Sequence, residues 1–507
     1  MPIVAGVLLL AVTVPAAAHA DPFVNPVIAG DFPDPSVTRL GGDYWAVGTS
    51  GDFAPAFPLM HSTDLVNWQQ LGAVFDRPPS WTAGAYWAPQ LTQWHDRFLL
   101  YYAARKRGAH PCIGLAVARN GAGPYEDRGP LLCRGNGAID PMLFVDPTGQ
   151  PWLLWKDMGF GRGIRIQPTN PDGTRLVGRS TLLIHPDQPW ELGVTENPYM
   201  VAHNGSYYLF YSGGHCCKPP CSYAVGVASA PSPTGPFVKE PSSQRFGTND
   251  EWECPGAATL IDDPDGETFF AYHAYRPGQE YLGRQTLLDH FSWDDGPWPV
   301  LGDGSGPTAE AAAPAGAAQR PPGPYDESFD ERALGAGWQW RWDRRPDFRL
   351  VNGALRLAVA TPGNELSAVI GRRATTANYT ATAVIDRTAT TPDALAGIAI
   401  DGGSSAILGA GIQNGALRVW QHGPTGDITV TQAPISASKT VWVRLQVSGG
   451  DSVAVSVSTD GSTFYPVGSG PYPLPSQPSV EWVRLTLGAP QKAAARFMHF
   501  TIVPDSE

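Results

Sequence analysis

The chain has 507 residues, more than one ordinary globular core holds, so two domains are expected. Hydrophobic residues make up 42% and charged residues only 16%, which suits a folded, strand-rich protein and excludes extended disorder. The formal net charge is −12 with no Lys/Arg cluster, which argues against nucleic acid or an anionic membrane as a partner and favours an uncharged ligand.

Residues 1–20 read as a secretory signal peptide. Ile3 to Val14 form an apolar run too short to span a bilayer, and Ala18-His19-Ala20 is a small-residue cleavage signal that leaves Asp21 as the mature start. A secreted, extracellular protein is expected, and six cysteines in an exported chain imply disulfides. Cys112 and Cys133 are placed to pair across a hairpin. Cys216, Cys217, Cys221 and Cys254 allow three pairings, and His215 with Cys216, Cys217 and Cys221 could also form a metal site, although the usual zinc spacings are missing.

Residues 21–303 carry a repeat of about 55 residues. Its marker is a Gly- or Asp-containing turn followed by an aromatic strand: Tyr44–Val47, Phe98–Tyr101, Trp152–Trp155, Tyr207–Phe210 and Phe269–Tyr272. Roughly ten residues earlier each unit has a proline (Pro35, Pro89, Pro141, Pro198, Pro255), which the pattern places at the start of a short apolar strand. Two of the aromatic strands are followed by small-residue strands, Gly114–Ala118 and Val225–Ser229. Five such units without helical periodicity predict an all-β fold, a five-bladed β-propeller whose first strands line a central channel. The residues just before the prolines should then meet at one mouth: Asp34, Ala88, Asp140, Asn197 and Cys254, with Glu196 and Glu253 one step earlier. Convergent carboxylates repel, so at least one is held protonated near neutral pH, as a general acid must be. Glycoside hydrolysis needs such a group beside a second carboxylate that activates water.

The segments 31–36 (Asp-Phe-Pro-Asp-Pro-Ser), 86–90 (Tyr-Trp-Ala-Pro-Gln), 138–141 (Ala-Ile-Asp-Pro), 195–199 (Thr-Glu-Asn-Pro-Tyr), 272–275 (Tyr-His-Ala-Tyr) and 293–299 (Trp-Asp-Asp-Gly-Pro-Trp-Pro) resemble glycoside hydrolase family 43, over about residues 22–303. The resemblance implies arabinofuranosidase, arabinanase or β-xylosidase chemistry. It casts Asp34 as general base, Glu196 as general acid and Asp140 as the carboxylate that orients the acid and holds its proton. It places Trp87 against a sugar ring and Arg284 on substrate hydroxyls, and it sets His273 facing a structural cation, often calcium, or a water cluster at the centre. No cofactor is required for the chemistry. Two departures from the family pattern stand near the pocket: Asn197 after the acid, and Ala257 in Pro255-Gly256-Ala257. The five-bladed fructan hydrolases offer a rival in which Glu253, in Trp252-Glu253-Cys254-Pro255, would be the acid. Glu253 falls in the fifth unit while the fourth already holds Glu196, and Pro33 stands where that group needs Asn.

Residues 304–324 are rich in Gly, Ala and Pro and read as a linker. Residues 325–507 hold short alternating strands such as Leu355–Val359, Ala381–Ile385 and Val441–Val447, which predict a β-sandwich. The opening Gly337–Trp342 resembles the concanavalin-like sandwich that follows some family 43 propellers, and a structural cap is the preferred reading over a carbohydrate-binding module. The sequence therefore points to a secreted, monomeric, inverting glycosidase. It would act on arabinose- or xylose-containing polysaccharide or oligosaccharide as an α-L-arabinofuranosidase. The alternatives are a β-xylosidase or a non-catalytic glycan-binding propeller.

Overall fold

The computed structural model describes residues 21–159, 162–217, 219–241, 246–294, 296–359, 366–401, 407–423, 426–474, 480–489 and 491–505; the predicted signal peptide lies outside them. The described residues are almost entirely strand and turn, with three short 3₁₀ turns at Pro189–Glu191, Glu280–Leu282 and Arg387–Ala389.

Five four-stranded antiparallel sheets follow one another along the chain, each in simple meander order. Their first strands are Ser36–Leu40, Trp87–Trp94, Ala138–Val145, Thr195–His203 and Glu253–Asp262. The predicted aromatic strands are the second strands: Asp43–Val47, Arg97–Arg105, Pro151–Asp157, Ser206–Gly213 and Thr268–Tyr275. The small-residue strands are third, within Pro111–Ala118 and Ala224–Ala230. Strands this rich in Val, Leu, Tyr and Trp are buried on both faces, so each sheet must be covered twice. Separate apolar clusters provide that cover. Val47, Phe57, Leu100 and Tyr102 fill the space between the first and second sheets. Leu99, Leu115, Leu143 and Trp155 join the second to the third. Met142, Leu154, Leu209 and Tyr211 join the third to the fourth, and Phe210, Val225, Phe270 and Leu287 join the fourth to the fifth. Ile261, Phe269 and Leu288 then pack on Val37, Tyr44 and Met60, so the fifth sheet returns to the first and the ring closes. The first strands contact one another in the same cyclic order.

Four of the five prolines sit inside their strands at a break in pairing rather than at the strand start, where the sequence pattern placed them. A bulge tolerates the missing N–H, which explains their place. In the fifth sheet two breaks follow one another, between Glu253 and Gly256 and between Gly256 and Thr259.

The Ala/Pro-rich stretch predicted as a linker is strapped to the ring. Glu310–Ala311 pairs with Phe23–Val24, Asn25 Nδ2 donates to the Thr308 carbonyl, and Ala315 N–H donates to Asp263. Beyond it, a nine-stranded and a six-stranded antiparallel sheet face each other across one apolar core containing Leu355, Ile398, Leu445, Val483 and Phe497. Thr440–Ser448 shows the expected alternation, with Val441, Val443, Leu445 and Val447 buried. The two halves share a seam: Trp340–Arg341 pairs with Phe53–Ala54, Phe53 lies 4.3 Å from Trp482, and Leu282 enters the core of the second half. The Trp residues of Gly337–Trp342 belong to this packing, with Trp338 buried 5.0 Å from Phe500.

Candidate active site

At the centre of the ring lies a narrow cavity of about 40 Å³ lined by three consecutive residues from each sheet: Asp34–Ser36, Ala88–Gln90, Asp140–Met142, Asn197–Tyr199 and Ala257–Thr259. The first residue of each triplet has a left-handed backbone, with φ of 54° at Asp34, 38° at Ala88, 55° at Asp140, 48° at Asn197 and 59° at Ala257. Non-glycine residues hold that conformation only when the surroundings over-determine it. Here the N–H of Asp34 is bonded to His273, that of Ala88 to Thr49, that of Asn197 to Asp140 and that of Ala257 to Ser212. The repeat read from the prolines is thus a backbone device at the channel. One position differs from the sequence reading, and the fourth agrees with it. The fifth lining residue is Ala257 rather than Cys254, because the second bulge shifts the strand. Asn197 holds the fourth lining position, and Glu196 stands one residue ahead of it.

The structure gathers Asp34, Arg284 and His273 through direct contacts and links Asp140 and Glu196 to them through Asn197 and Tyr223. Asp34 Oδ2 accepts from Thr49 Oγ1 at 2.6 Å, and its Oδ1 lies 3.3 Å from Arg284 Nη1. Burial works against the Arg284 charge, but Asp34 and its neighbours more than offset it, so the guanidinium stays charged. Asp140 Oδ2 accepts from the N–H of Asn197, the residue after Glu196, which ties the two segments together. Burial, reinforced by Glu196, pushes the Asp140 carboxyl up to about 8, so it holds a proton at neutral pH.

Glu196 is surrounded by groups that the sequence analysis did not single out. Tyr223 Oη donates to Glu196 Oε1 at 2.7 Å and accepts from Asn197 Nδ2 at 2.8 Å. Lys156 Nζ contacts Glu196 Oε2. Burial lowers the Lys156 ammonium's affinity for its proton, yet Glu196 and Asp140 outweigh it and keep Lys156 charged. The Tyr223 ring stacks on His273 at 5.9 Å, and a Cβ at Gly256 would fall 2.1 Å from that ring, so glycine is needed there. The one available sequence signal for Lys156 is a charge at the end of an aromatic strand, Trp152–Trp155.

His273 is fully buried, and burial, then Arg284, holds it well below its usual range and therefore neutral. Its Nδ1 accepts the Asp34 backbone N–H at 3.1 Å, so Nε2 carries the ring proton. That Nε2–H has no hydrogen-bond partner among the described residues. A protonated nitrogen has no lone pair for a cation, so His273 does not fit a directly bound calcium; it fits an acceptor such as water. Cys221, Glu253 and Cys254 also lie close together, but both cysteines are spent in a disulfide. The other bonds are Cys112–Cys133, as expected from the hairpin, and Cys216–Cys217, so these thiols cannot serve the metal site considered from sequence. Trp87 begins the second sheet's first strand beside Ala88 and is half-buried, outside the residues that line the narrow cavity. Glu253 also lies outside that lining, with Oε1 buried and unpartnered among the described residues.

The profile of glycosyl hydrolases family 43 matches residues 23–299, and that of the β-xylosidase C-terminal concanavalin A-like domain matches residues 326–476. A xylosidase/arabinosidase 43B of Humicola insolens is 28% identical over 317 residues, which cover 57% of each chain. A non-reducing end α-L-arabinofuranosidase of Bacteroides ovatus is 27% identical over 394 residues, 71% of this chain and 70% of that one. The crystal structure of a GH43 protein from Bacillus licheniformis superposes with a TM-score of 0.82 at 22% identity, covering 96% of this chain and all of the other. The chain spans only 57% of the length of the Humicola relative. With the family profile running through the ring and every residue of its cavity, the chain belongs to glycosyl hydrolases family 43.

Proposed function

We propose that this protein is a secreted, inverting glycosidase that cleaves O-glycosidic bonds in arabinose- or xylose-containing plant polysaccharides, with α-L-arabinofuranosidase activity. In this reading the ring, residues 21–303, is a five-bladed β-propeller and the catalytic domain; residues 304–324 connect it to a sandwich, residues 325–507, that caps it. The observation that carries the proposal is the convergence of Asp34 and Asp140 on one cavity, with Arg284 on Asp34 and Glu196 close enough to Asp140 to raise its pKa.

Asp34, in contact with Arg284 and Thr49, takes a proton from the attacking water. Glu196, oriented by Tyr223, gives a proton to the departing oxygen. Asp140 fixes the backbone beside Glu196 and keeps a proton in the site. Trp87 stacks on a sugar ring. Pairing of all six cysteines supports export. A second reading, β-xylosidase, is favoured by the match of residues 326–476 to a β-xylosidase C-terminal domain. Nitrophenyl α-L-arabinofuranoside and β-D-xyloside, assayed beside linear arabinan, separate the readings. Turnover of the arabinofuranoside above the xyloside is expected; the reverse order establishes the second reading, and no turnover of any overturns both.

A further inference from the structure

The two halves of the chain approach each other closely at Gly30 and Asp31, three residues before Asp34. Gly30 has φ of +78°, and a Cβ there would fall 2.7 Å from the Ala374 carbonyl oxygen of the second half. Arg373, at the end of the strand Ala368–Arg373, reaches across with Nη1 at 2.7 Å from Asp31 Oδ2 and also donates to the Asp31 carbonyl. Asp31 Oδ1 accepts the Arg284 backbone N–H at 3.1 Å. Gly283, with φ of +81°, lets Asp31 close on this loop, since a Cβ there would fall 2.4 Å from the Asp31 side chain. Arg284 then meets Asp34. Four charges therefore alternate from one half to the other: Arg373, Asp31, Arg284, Asp34. Each side chain in the row is at most 14% exposed. Arg373 is itself fixed, with its guanidinium 5.3 Å from the ring centre of Trp482, which packs on Phe53.

We infer that Arg373, supplied by the sandwich, is a positioning residue for the active site, acting through Asp31 on the Arg284–Asp34 pair. The inference rests on Asp34 being the general base. Without Arg373, Asp31 keeps a buried carboxylate oxygen with no partner, and the neighbouring Arg284 guanidinium is the cation it draws, away from Asp34. Asp31 is the relay because its two oxygens divide between the halves. The second half then completes the catalytic geometry as well as covering apolar surface.

The test compares the full-length protein with Arg373→Met, Asp31→Asn, the double variant and Arg373→Lys on the nitrophenyl pentoside that the wild type hydrolyses best, with melting temperatures measured in parallel. Arg373→Met is expected to lower kcat on the order of 10²-fold with little change in KM, as for misplacement of a reacting group. Arg373→Lys, which keeps the charge on Asp31, should recover most of that loss. In the Asp31→Asn background, Arg373→Met should cost no further activity, since residues acting through one contact are not additive. Unchanged kcat in Arg373→Met beside a lowered melting temperature would make Arg373 a structural residue and overturn the inference. So would losses from the two single variants that multiply in the double. If Arg373→Met does not fold, Arg373→Lys and Asp31→Asn decide: full kcat in Asp31→Asn overturns the relay. Retained turnover in Asp34→Ala would instead remove the general-base reading, and this inference with it.

Discussion

Lys156 and Asp140 act on Glu196 in opposite electrostatic senses, and this can be measured. Asp140 holds a proton up to about pH 8 because burial, and then Glu196, disfavours its negative charge. In the proposed mechanism, loss of that proton sets the basic limb of the pH–rate profile. Asp140→Asn removes the carboxyl that holds this proton, so the basic limb is expected to move to lower pH. Lys156→Met removes the cation that favours the ionised form, so the basic limb moves to higher pH, by roughly one unit. A pH profile of kcat/KM for both variants checks the pair; shifts in the same direction contradict the assignment. The residues of this site differ in how legible they are. Asp34 and Asp140 stand directly before prolines and Glu196 two residues before one, so phase in the repeat exposes them. Thr49, Lys156, Tyr223 and Ser212 are placed by cross-strand register and by bends between strands, which no periodicity in the sequence encodes.

At the scale of elements, aromatic strands and turn residues marked every second strand correctly, because a strand buried on both faces needs continuous apolar side chains. The bulges were not legible, and they decide which residues face the channel. The two breaks around Gly256 bring Ala257 to the lining and leave Glu253-Cys254 outside it. That arrangement gives the Cys221–Cys254 bond its place. It ties the segment before Tyr223 to the fifth sheet, and both sulfurs belong to the cluster that also contains Tyr223 and Tyr275. Replacing Cys221 and Cys254 together by Ser should lower stability by about 2–4 kcal/mol in denaturant unfolding. It should also reduce kcat through the loosened Tyr223–Glu196 bond. Full stability and full activity would show that the bond is idle. The Gly, Ala and Pro content of residues 304–324 is plain in the sequence, but their hydrogen bonds to Asn25 and Asp263 join distant segments and leave no local trace.

For the whole molecule, the closed ring and the sandwich share apolar surface through Ala54, Leu282, Trp338 and Trp340. A protein ending at residue 303 would expose that seam and lose Glu310–Ala311 from Phe23–Val24, so it should be insoluble or inactive when expressed alone. A soluble fragment with full activity on small pentosides would show that the sandwich is an independent module. Ring closure also brings Asp34 to one cavity with Asn197, whose neighbour Glu196 is the proposed acid, so that the proposed base and acid work on opposite faces of a sugar. The proposed roles predict that Asp34→Ala abolishes turnover on every substrate. Glu196→Ala is severe on polymers and milder on nitrophenyl pentosides, whose leaving group needs little protonation; general acid–base groups contribute about 10²- to 10⁴-fold. The most direct measurement is proton NMR of the anomer first released by the wild-type protein: a product of inverted configuration is predicted, and retention would contradict the account.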